Sequence, residues 1–421
     1  MQRILMVSTI SRFLRDFLFP FAEHYRALGW QVDALTSHVA EFPECNAVYD
    51  RVWEVSWSRS PFSPHNLWET PATIQRIVEE GAYDLVHVHT PVAAFVTRYA
   101  LRHLRAAQRV KVIYTAHGFH FIPGNPSARS AMFLALEKLA GLWTDHLVVI
   151  NTADKTAARR HRLVPFDRLW HFPGIGIDVD YYHPAAIPSG AAADLRVQHD
   201  IPADAALFTV VAEMIPRKRH MDVLEAFRQV RQPHAHLALA GDGPLREQLV
   251  AYVRKHHLSS RVHFLGFQND IRALMHTSTA LILASRQEGL PRCIMEGMAL
   301  GVPVIGTDIR GTYELLADGA GLLVPLGDTR TLANSMRWVM AHPEQARECA
   351  ANGRQRITEY RLERLFALHD HLYATALESK PAKAPVRTLI SEMPLPERDF
   401  LPDITMGSKV GANIALDDSV L

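Results

Sequence analysis

The sequence predicts an α/β protein built from two doubly wound, Rossmann-like domains, because three observations agree. Its 421 residues exceed the size at which a single hydrophobic core usually stops growing. Hydrophobic residues make up 48% and charged residues 21%, which is enough apolar material for two cores. Short apolar runs typical of buried strands alternate with helical patterns, and this alternation starts again after a small-residue connector at 184–194.

In the first half, the alternation begins at the N-terminus. Residues 3–9 have the pattern of a short buried strand, and residues 11–28 repeat apolar side chains near every 3.6 positions, as a helix does. Gly29 is placed to end that helix, and a second strand is predicted at 30–36. The other elements predicted in this half are strands at 84–89, 110–115 and 146–150, helices at 92–107 and 127–141, and a closing segment at 170–178.

The second half repeats the pattern with its own strands and helices. Strands are predicted at 207–212, 236–240, 262–264, 279–284, 302–306 and 321–324. Helices are predicted at 220–231, 244–257, 270–276, 291–300, 311–317, 329–341 and 343–377. We therefore expect domains at 1–183 and 195–360, a helix at 361–377 that can return to the first domain, and a disordered, proline-containing tail at 378–421.

The composition argues against several classes of protein. A formal net charge of +1 gives no whole-molecule attraction to nucleic acid. The cysteines are odd in number and form no C-x-x-C pair, which disfavours a disulfide framework and a thiolate metal site. The N-terminal apolar run is too short for a signal peptide, and no stretch reaches the ~20 apolar residues of a membrane span. We expect a cytoplasmic protein whose membrane contact, if any, is peripheral on the inner face of the cell membrane.

The sharpest pattern in the sequence lies at residues 284–308. An apolar strand ends at Ala284, a Gly-Leu-Pro turn follows, and Pro291 suits the first turn of a helix. The backbone N–H groups near Arg292 and Cys293 then lie at the positive end of that helix, which is a ready site for an anion.

Two glutamates flank this turn. Glu288 is on the loop and Glu296 is about one turn into the helix. Each carboxylate can accept two hydrogen bonds from neighbouring hydroxyls, which is what a ribose or a hexose offers. Two solvated surface glutamates are the alternative, and the combined strand–turn–helix context favours a binding site.

This segment resembles the E-x7-E motif of the retaining glycosyltransferases of family 4. The stretch GVPVIGTDIRGTYELL at 301–316 also resembles that family, and so do GDGPL at 241–245, VHFLGF at 262–267 and PGIGID at 173–178. The similarity covers residues 3–377. It implies the GT-B fold, in which two Rossmann-like domains face each other across a cleft.

Residues 115–121 (TAHGFHF) most resemble the family branch that makes capsule and exopolysaccharide repeat units. The resemblance implies that His117, at the carboxyl end of a strand, contacts the donor sugar or the acceptor. A loop histidine bonded to the backbone and a metal pair with His120 are the alternatives, and the metal pair lacks a nearby carboxylate. We interpret His87 and His89, which match the family's D-x-x-H-x-H strand, as structural support.

Residues 211–219 contain one match to the family pattern and one departure from it. Lys218 matches a lysine that serves the diphosphate, whereas Glu213 stands where family members usually carry an arginine. An inward-pointing carboxylate there would repel a diphosphate. We expect Glu213 to turn outward, to pair with Arg217 or to orient Lys218, while Arg217 and Arg292 supply the missing positive charge.

The resemblance implies transfer of a hexosyl unit from a UDP-sugar to an acceptor hydroxyl, with retention and without a metal, and a lipid-linked glycan as acceptor. The implied catalytic residues are His117 and Glu288. The implied donor-binding residues are Lys218, Arg217, Gly243, Phe267, Leu290, Pro291, Arg292 and Glu296. No carboxylate nucleophile is evident, so we favour a front-face route in which the leaving phosphate accepts the acceptor's proton.

Other functions remain as alternatives. They are a sugar-nucleotide epimerase of the same fold and a non-catalytic nucleotide-sugar-binding subunit, in which Glu213 impairs catalysis. An NAD enzyme is disfavoured because the glycine pairs at 174–176 and 241–243 both lack the third glycine of a dinucleotide fingerprint. Asp178 and Asp180 form a D-x-D pattern, which binds metal in a different transferase fold and here suits a structural role.

A basic helix face is the predicted membrane contact. Arg98, Arg102, Arg105 and Arg109 recur every three or four residues, so a helix over 92–109 would present them together. Such a face can hold an anionic bilayer surface or the diphosphate of a lipid-linked acceptor. The alternative is a solvated helix face.

Overall fold

The computed structural model describes residues 1–57, 63–121 and 128–378. Within these residues the chain divides into two compact units. The first contains Met1–Gly176 and the helix that begins at Leu362, and the second contains Ile177–Arg361. Each unit has one parallel sheet with helices attached, which confirms the predicted pair of doubly wound α/β domains.

The described part of the first unit has a seven-stranded sheet in the order β3-β2-β1-β4-β5-β6-β7. The strand order reverses between β1 and β4, and ligands bind α/β sheets at such switch points. The strands are β1 (Arg3–Val7), β2 (Gln31–Thr36), β3 (Arg51–Glu54), β4 (Leu85–Val88), β5 (Lys111–Ala116), β6 (His146–Val149) and β7 (Leu169–His171). The helices are α1 (Ser11–Phe13), α2 (Phe19–Ala27), α3 (Cys45–Val48), α4 (Thr70–Gly81), α5 (Pro91–Ala106), α6 (Ala128–Gly141) and α7 (Thr152–His161).

The second unit has a six-stranded sheet in the order β10-β9-β8-β11-β12-β13 over the residues described. Its strands are β8 (Ala206–Val211), β9 (Ala235–Ala240), β10 (Val262–Gly266), β11 (Ala280–Leu283), β12 (Val304–Thr307) and β13 (Leu322–Val324). Its helices are α8 (Ala191–Gln198), α9 (His220–Val230), α10 (Arg246–Lys255), α11 (Arg272–His276), α12 (Arg292–Ala299), α13 (Arg310–Leu316), α14 (Thr329–Ala341) and α15 (Pro343–Ile357).

The last helix, α16 (Leu362–Leu377), belongs to the first unit. Leu365, Leu372 and Tyr373 are buried in a cluster with Phe21 and Tyr25 of α2. The predicted continuous helix over 343–377 is wrong, because a 3-10 turn at Thr358–Tyr360 and an extended residue, Arg361, separate α15 from α16. The predicted tail at 378–421 lies outside the described residues except for its first residue.

The boundary between the units differs from the expected one. The second unit begins at Ile177, so residues 177–183 belong to it and not to the first unit. The segment at 184–194, expected to be a connector, contains a short turn at Pro184–Ala186 and the start of α8 within the second unit. This difference matters because it brings Tyr182 into the second unit.

The first predicted helix is interrupted. A π-helical turn at Leu14–Leu18 separates α1 from α2. Pro20 lies in the first turn of α2, and its missing N–H and bulky ring disfavour a regular bond to the carbonyl four residues earlier. A wider π turn accommodates that proline.

The basic face predicted at 92–109 is not present as a unit. Arg98 is only 2% exposed, and its guanidinium donates to Glu137 at 3.0 Å. Arg105 pairs with Asp145 at 3.0 Å. Arg109 lies beyond the end of α5 and pairs with Glu79 at 3.4 Å. Three of the four arginines therefore serve the fold or surface ion pairs, and the prediction of a shared membrane-binding face was wrong. Among the described helices, none is long and apolar enough to cross a membrane.

Candidate active site

The loops that follow β8 and β9 lie against each other at the carboxyl ends of the second sheet. The Met214 N–H donates to the Asp242 carbonyl at 2.8 Å, and the Leu245 N–H donates to the Met214 carbonyl at 3.0 Å. Gly243 has a φ of 155°. A Cβ added there would lie 2.7 Å from the Met214 carbonyl oxygen, so the absence of a side chain permits this close approach.

Glu288, on the loop after β11, accepts hydrogen bonds from two cationic side chains on the loop after β8. The Lys218 ammonium donates to Oε1 of Glu288 at 2.7 Å, and the Arg217 guanidinium donates to the same oxygen at 3.0 Å. Arg217 also donates to the Gln287 carbonyl at 2.8 Å. Glu288 is 9% exposed, and a carboxylate buried to that degree needs such partners.

Glu296, one turn into α12, is held in a second cluster. The Tyr182 hydroxyl donates to its Oε1 at 2.7 Å, and Nε of Arg292 donates to the same oxygen at 2.9 Å. Glu296 is 7% exposed, and burial is the main cause that raises the pKa of Tyr182. Sequence reasoning missed Tyr182, because the contact spans 114 residues and nothing local to the tyrosine indicates it.

The turn between these clusters starts a helix at the sheet edge. Leu290 and Pro291 are buried, and Pro291 is the N-cap of α12 without a side-chain hydrogen bond to the helix. Burial raises the pKa of the Cys293 thiol to about 12, with Lys218 opposing this shift and Glu288 and Glu296 reinforcing it. Cys293 therefore lies within electrostatic reach of both clusters.

Phe267 and Glu213 are on the exposed surface of the second unit. Phe267, the residue after β10, is 56% exposed. It follows Gly266, whose carbonyl accepts the Gly241 N–H at 2.7 Å, so it stands beside the Gly243 loop. Glu213 is exposed, and both Arg217 and Lys218 pair with Glu288. The expected pairing of Glu213 with Arg217 is thus absent among the described ion pairs, and the carboxylate turns outward.

His117 lies in the first unit, where it follows β5. Its Nε2 is 3.0 Å from Nδ1 of His89, so one ring donates to the other. Phe13 packs edge-on against His117, with ring centroids 4.9 Å apart. Burial, and to a smaller extent the charge of His369, lowers the pKa of His117 to about 3. The imidazole is therefore neutral at pH 7.

Two histidines at the end of β4, His87 within the strand and His89 just after it, fill the polar interior behind His117. His87 shares hydrogen bonds with the Tyr373 hydroxyl at 2.6 Å and the Thr115 hydroxyl at 2.7 Å. Burial lowers the pKa of both His87 and His89 well below the ordinary value. His120 is exposed, and no group of three or more His, Cys, Asp or Glu side chains suited to a metal occurs in the part of the chain that the structure describes.

Two threonines near His117 were not predicted as site residues. Thr90 has a φ of 61° and caps α5 before Pro91. Its hydroxyl accepts the Thr9 N–H at 2.9 Å and lies 2.7 Å from the Thr9 hydroxyl. These residues join the ends of β1 and β4 at the switch point, and a positive φ at a β-branched residue is a strain typical of functional sites. The Thr90-Pro91 pair is the only local signal that could have indicated it.

Asp178 has a local role. Its Oδ1 accepts the backbone N–H groups of Asp180 at 3.1 Å and Tyr181 at 2.8 Å. The carboxylate thus stabilises the turn that leads to Tyr182, in agreement with a structural interpretation of the D-x-D pattern.

Comparison with known proteins now adds to this geometry. The family model described as "Glycosyltransferase Family 4" matches residues 17–181, and "Glycosyl transferases group 1" matches residues 192–356. "Putative glycosyltransferase EpsD" of Bacillus subtilis is 30% identical over 84% of this chain and 91% of its own length. The chain belongs to glycosyltransferase family 4.

Two further known proteins are similar to this family 4 glycosyltransferase, one in sequence and one in fold. The "UDP-Gal:alpha-D-GlcNAc-diphosphoundecaprenol alpha-1,3-galactosyltransferase" of Escherichia coli is 27% identical over 63% of this chain and 68% of its own length. The crystal structure of HepE from Anabaena, in complex with UDP-glucose, aligns with a TM-score of 0.75 at 20% identity and covers 89% of this chain and 100% of HepE. The HepE comparison shows the shared fold.

Proposed function

We propose that this glycosyltransferase moves a hexosyl unit from a UDP-sugar to an acceptor hydroxyl with retention, and that the acceptor is a lipid-linked glycan of cell-surface polysaccharide synthesis. The observation that carries the proposal is the cation pair Lys218 and Arg217, held by Glu288 beside the start of α12. The UDP-glucose bound by HepE supports a uridine donor, and the name of the E. coli relative supports a lipid-diphosphate acceptor.

The cations and the helix start would stabilise the departing diphosphate. Charge develops on the β-phosphate as the bond to the sugar C1 breaks, and prepositioned donors at such a position each contribute about 10²–10³ in rate. Lys218 offers an ammonium, Arg217 a guanidinium and α12 its N-terminal N–H groups. In this proposal the negatively charged diphosphate binds next to these donors.

Retention is proposed to occur on one face of the sugar. Oε1 of Glu288 already accepts from two cations, which makes it a poor nucleophile towards C1. The acceptor oxygen would therefore attack on the face that the diphosphate leaves, and its proton would pass to the departing phosphate oxygen. His117 is neutral at pH 7 and would serve as a hydrogen-bond partner of the sugar or the acceptor.

Glu296 is proposed to bind the ribose hydroxyls of UDP. Arg292 and Tyr182 donate to the same carboxylate oxygen, so the other oxygen can accept from the ligand. Arg292 then acts through Glu296 as well as through any contact of its own with the diphosphate. Gly243, Phe267, Leu290 and Pro291 would form the surrounding surface.

The proposal is tested by incubating the full chain with UDP- and GDP-sugars and a lipid-diphosphate glycan acceptor. We expect a raised unfolding midpoint with UDP-sugars, and a new glycosidic bond whose anomeric configuration, read by NMR, equals that of the donor. Consumption of the UDP-sugar without acceptor would instead indicate an epimerase. Tight binding without turnover would indicate a non-catalytic subunit, and an inverted product would contradict the front-face route. Turnover should also continue in EDTA, since the proposed donors are side chains and N–H groups.

The roles of the two glutamates can be separated. Glu296→Gln should weaken binding of UDP itself, whereas Glu288→Gln should weaken the UDP-sugar more than UDP. Loss of a hydrogen bond to a charged group costs about 1.5–3 kcal/mol, which corresponds to roughly tenfold or more in affinity. Equal losses of UDP and UDP-sugar affinity in both variants would remove this division of roles.

A further inference from the structure

His89 and His117 form a hydrogen-bonded pair of imidazoles at the carboxyl edge of the first sheet. His89 is 3% exposed, and its Nδ1 lies 3.0 Å from Nε2 of His117. Burial lowers the pKa of both rings, so both are neutral at pH 7. A neutral imidazole carries one proton, so one ring of the pair must donate and the other must accept. The bond therefore couples the tautomer of His117 to that of His89.

The backbone that carries each ring is held at the sheet edge. The His89 N–H donates to the carbonyl of Val7 on β1 at 2.8 Å, and α5 begins two residues later. On the loop after β5, the Phe119 N–H donates to the buried Asp154 carboxylate at 3.2 Å. These bonds hold the two loops in place next to each other.

His87 supports the His89 ring from the interior of the first unit. The two ring centroids are 4.3 Å apart. The nitrogens of His87 each lie within hydrogen-bond distance of a hydroxyl, that of Tyr373 at 2.6 Å and that of Thr115 at 2.7 Å. Because Tyr373 is on α16, the returning helix contributes to the support of the pair.

The second nitrogen of His117 is left for a ligand. Among the residues that the structure describes, none forms a hydrogen bond with Nδ1 of His117. A histidine side chain in water prefers to carry its proton on Nε2, and the pair can keep this form in both rings. Nε2 of His117 then donates to Nδ1 of His89, and Nδ1 of His117 keeps its lone pair.

We propose that His89 is a positioning residue, which accepts the Nε2 proton of His117 and so leaves Nδ1 of His117 to accept a hydrogen bond from a substrate hydroxyl. The inference rests on the proposed function, in which His117 contacts the sugar or the acceptor substrate. Ether and carbonyl oxygens have no proton to donate, so this tautomer selects a hydroxyl. The hydroxyl that donates to Nδ1 is also held in one orientation, with its lone pairs turned away from the ring.

Nitrogen NMR of the full chain with isotope-labelled histidine tests the tautomer directly. The ring signals of His117 are assigned by their loss in His117→Gln. At pH 7 we expect the parent chain to show a protonated Nε2 and a bare Nδ1. His89→Phe keeps a ring without an acceptor, so both tautomers of His117 should appear. In His89→Asn the amide oxygen can take the place of Nδ1, so the parent tautomer should persist.

Turnover of a UDP-sugar with an acceptor substrate separates positioning from packing. His89→Phe should lower kcat/KM by about tenfold, which is the size expected for a lost hydrogen bond. His89→Asn should recover most of this loss. The affinity for UDP should stay at the parent value in both variants, because the proposed nucleotide site is in the second unit.

His236→Phe is the matched control in the second unit. His236 is 6% exposed, and its Nδ1 lies 2.9 Å from Nε2 of His263, so this variant also breaks a buried bond between two imidazoles. It should keep both the tautomer of His117 and the parent turnover.

Three results would overturn the proposal. They are a parent His117 ring protonated at Nδ1, a tautomer that is unchanged in His89→Phe, and equal losses of turnover in His89→Phe and His89→Asn. The tautomer is read without turnover, so the two failures differ. If the proposed function fails, the parent chain transfers no sugar, whereas if this inference alone fails, transfer continues with His117 in the other tautomer or independent of His89.

Discussion

The carboxylates of Glu288 and Glu296 are both buried, and each is stabilised by its own cationic neighbours. Lys218 and Arg217 serve the first, and Arg292 serves the second. A buried carboxylate without such partners would favour its protonated form and lose its use as an acceptor of hydroxyl groups. The two glutamates of one short motif thus depend on different parts of the second unit.

The Tyr182 hydroxyl is the residue-scale feature most open to test. Tyr182→Phe removes the hydroxyl that lies 2.7 Å from Oε1 of Glu296 and that also hydrogen-bonds with Arg292. We expect the affinity for UDP to fall by roughly tenfold, because a hydrogen bond to a charged acceptor contributes about 1.5–3 kcal/mol. Isothermal titration calorimetry measures this.

Tyr181→Phe is the matched control, since the Arg272 guanidinium lies 3.8 Å from the ring centroid of Tyr181 and a phenylalanine ring keeps that contact. If Tyr182→Phe binds UDP as tightly as Tyr181→Phe, Tyr182 does not position Glu296 for the nucleotide.

At the scale of elements, the site depends on how closely the loops after β8 and β9 approach. Gly241 and Gly243 both allow backbone contacts that a Cβ would prevent, with added atoms 2.2 Å from the Ala212 carbonyl oxygen and 2.7 Å from that of Met214. The loop that carries Lys218 is therefore placed by its neighbour across the sheet edge.

Gly243→Ala should displace this loop pair and weaken UDP-sugar binding together with the stability of the second unit. Gly190→Ala is a fitting control, because Gly190 also has a positive φ, 86°, but its nearest atom to an added Cβ is 3.8 Å away. The control suffers only the backbone strain of about 1–2 kcal/mol. Thermal unfolding with and without UDP-sugar compares the two, and equal effects would show that the close approach is unimportant.

At the scale of the whole molecule, the chain crosses from the second unit back to the first. The link is local: the Ile177 N–H donates to the Tyr360 carbonyl at 2.9 Å, and α16 begins two residues later. The core of the first unit is thus completed by residues that follow the second unit in the chain.

Leu372→Ala should therefore destabilise the first unit selectively. Leu372 is fully buried against that unit, and such a truncation costs about 2–5 kcal/mol. Differential scanning calorimetry should show a lower transition for the first unit, while the transition that UDP raises stays in place. Glu363→Ala, an exposed change on the same helix, is the control. A fall in the UDP-sensitive transition alone would place α16 with the second unit.

The histidines of the first unit predict acid sensitivity. Burial lowers the pKa of His117 to about 3 and the pKa values of His146, His171 and His369 to about 4. In the unfolded chain these histidines have the ordinary pKa of about 6.5, so they take up protons as the pH falls below that value. Stability is therefore fully present above pH 6.5 and declines as the pH falls towards 4.

We expect the unfolding midpoint of the first unit to fall over this pH range, and His369→Phe to make that fall less steep. His369 packs among aromatic rings, with Phe21 and Phe172 within 5 Å of its centroid, so the replacement preserves the shape. His103→Gln, on the exposed side of α5, serves as the control. A pH dependence that is unchanged in His369→Phe would exclude this ring as a contributor.

The sequence by itself determined the fold class and indicated the segments that carry the candidate site in the second unit. Period-two and period-3.6 patterns are local, and so are the Gly-Leu-Pro turn and the spacing of Glu288 and Glu296, so each can be read without the rest of the chain. Several elements were not predicted, and they include the twelve-residue helix α4 with its apolar buried face as well as short or polar elements. Strand β3 is a half-exposed edge strand of four residues, and α7 buries only small or polar side chains.

Tertiary structure alone decided which partners these residues have. A sequence pattern does not indicate that Arg98 is buried against Glu137, that Tyr182 meets Glu296, or that α16 completes the first core. Each of these contacts joins positions distant in sequence, and each is selected because a buried charge or hydroxyl must find a partner and an apolar helix face must find cover.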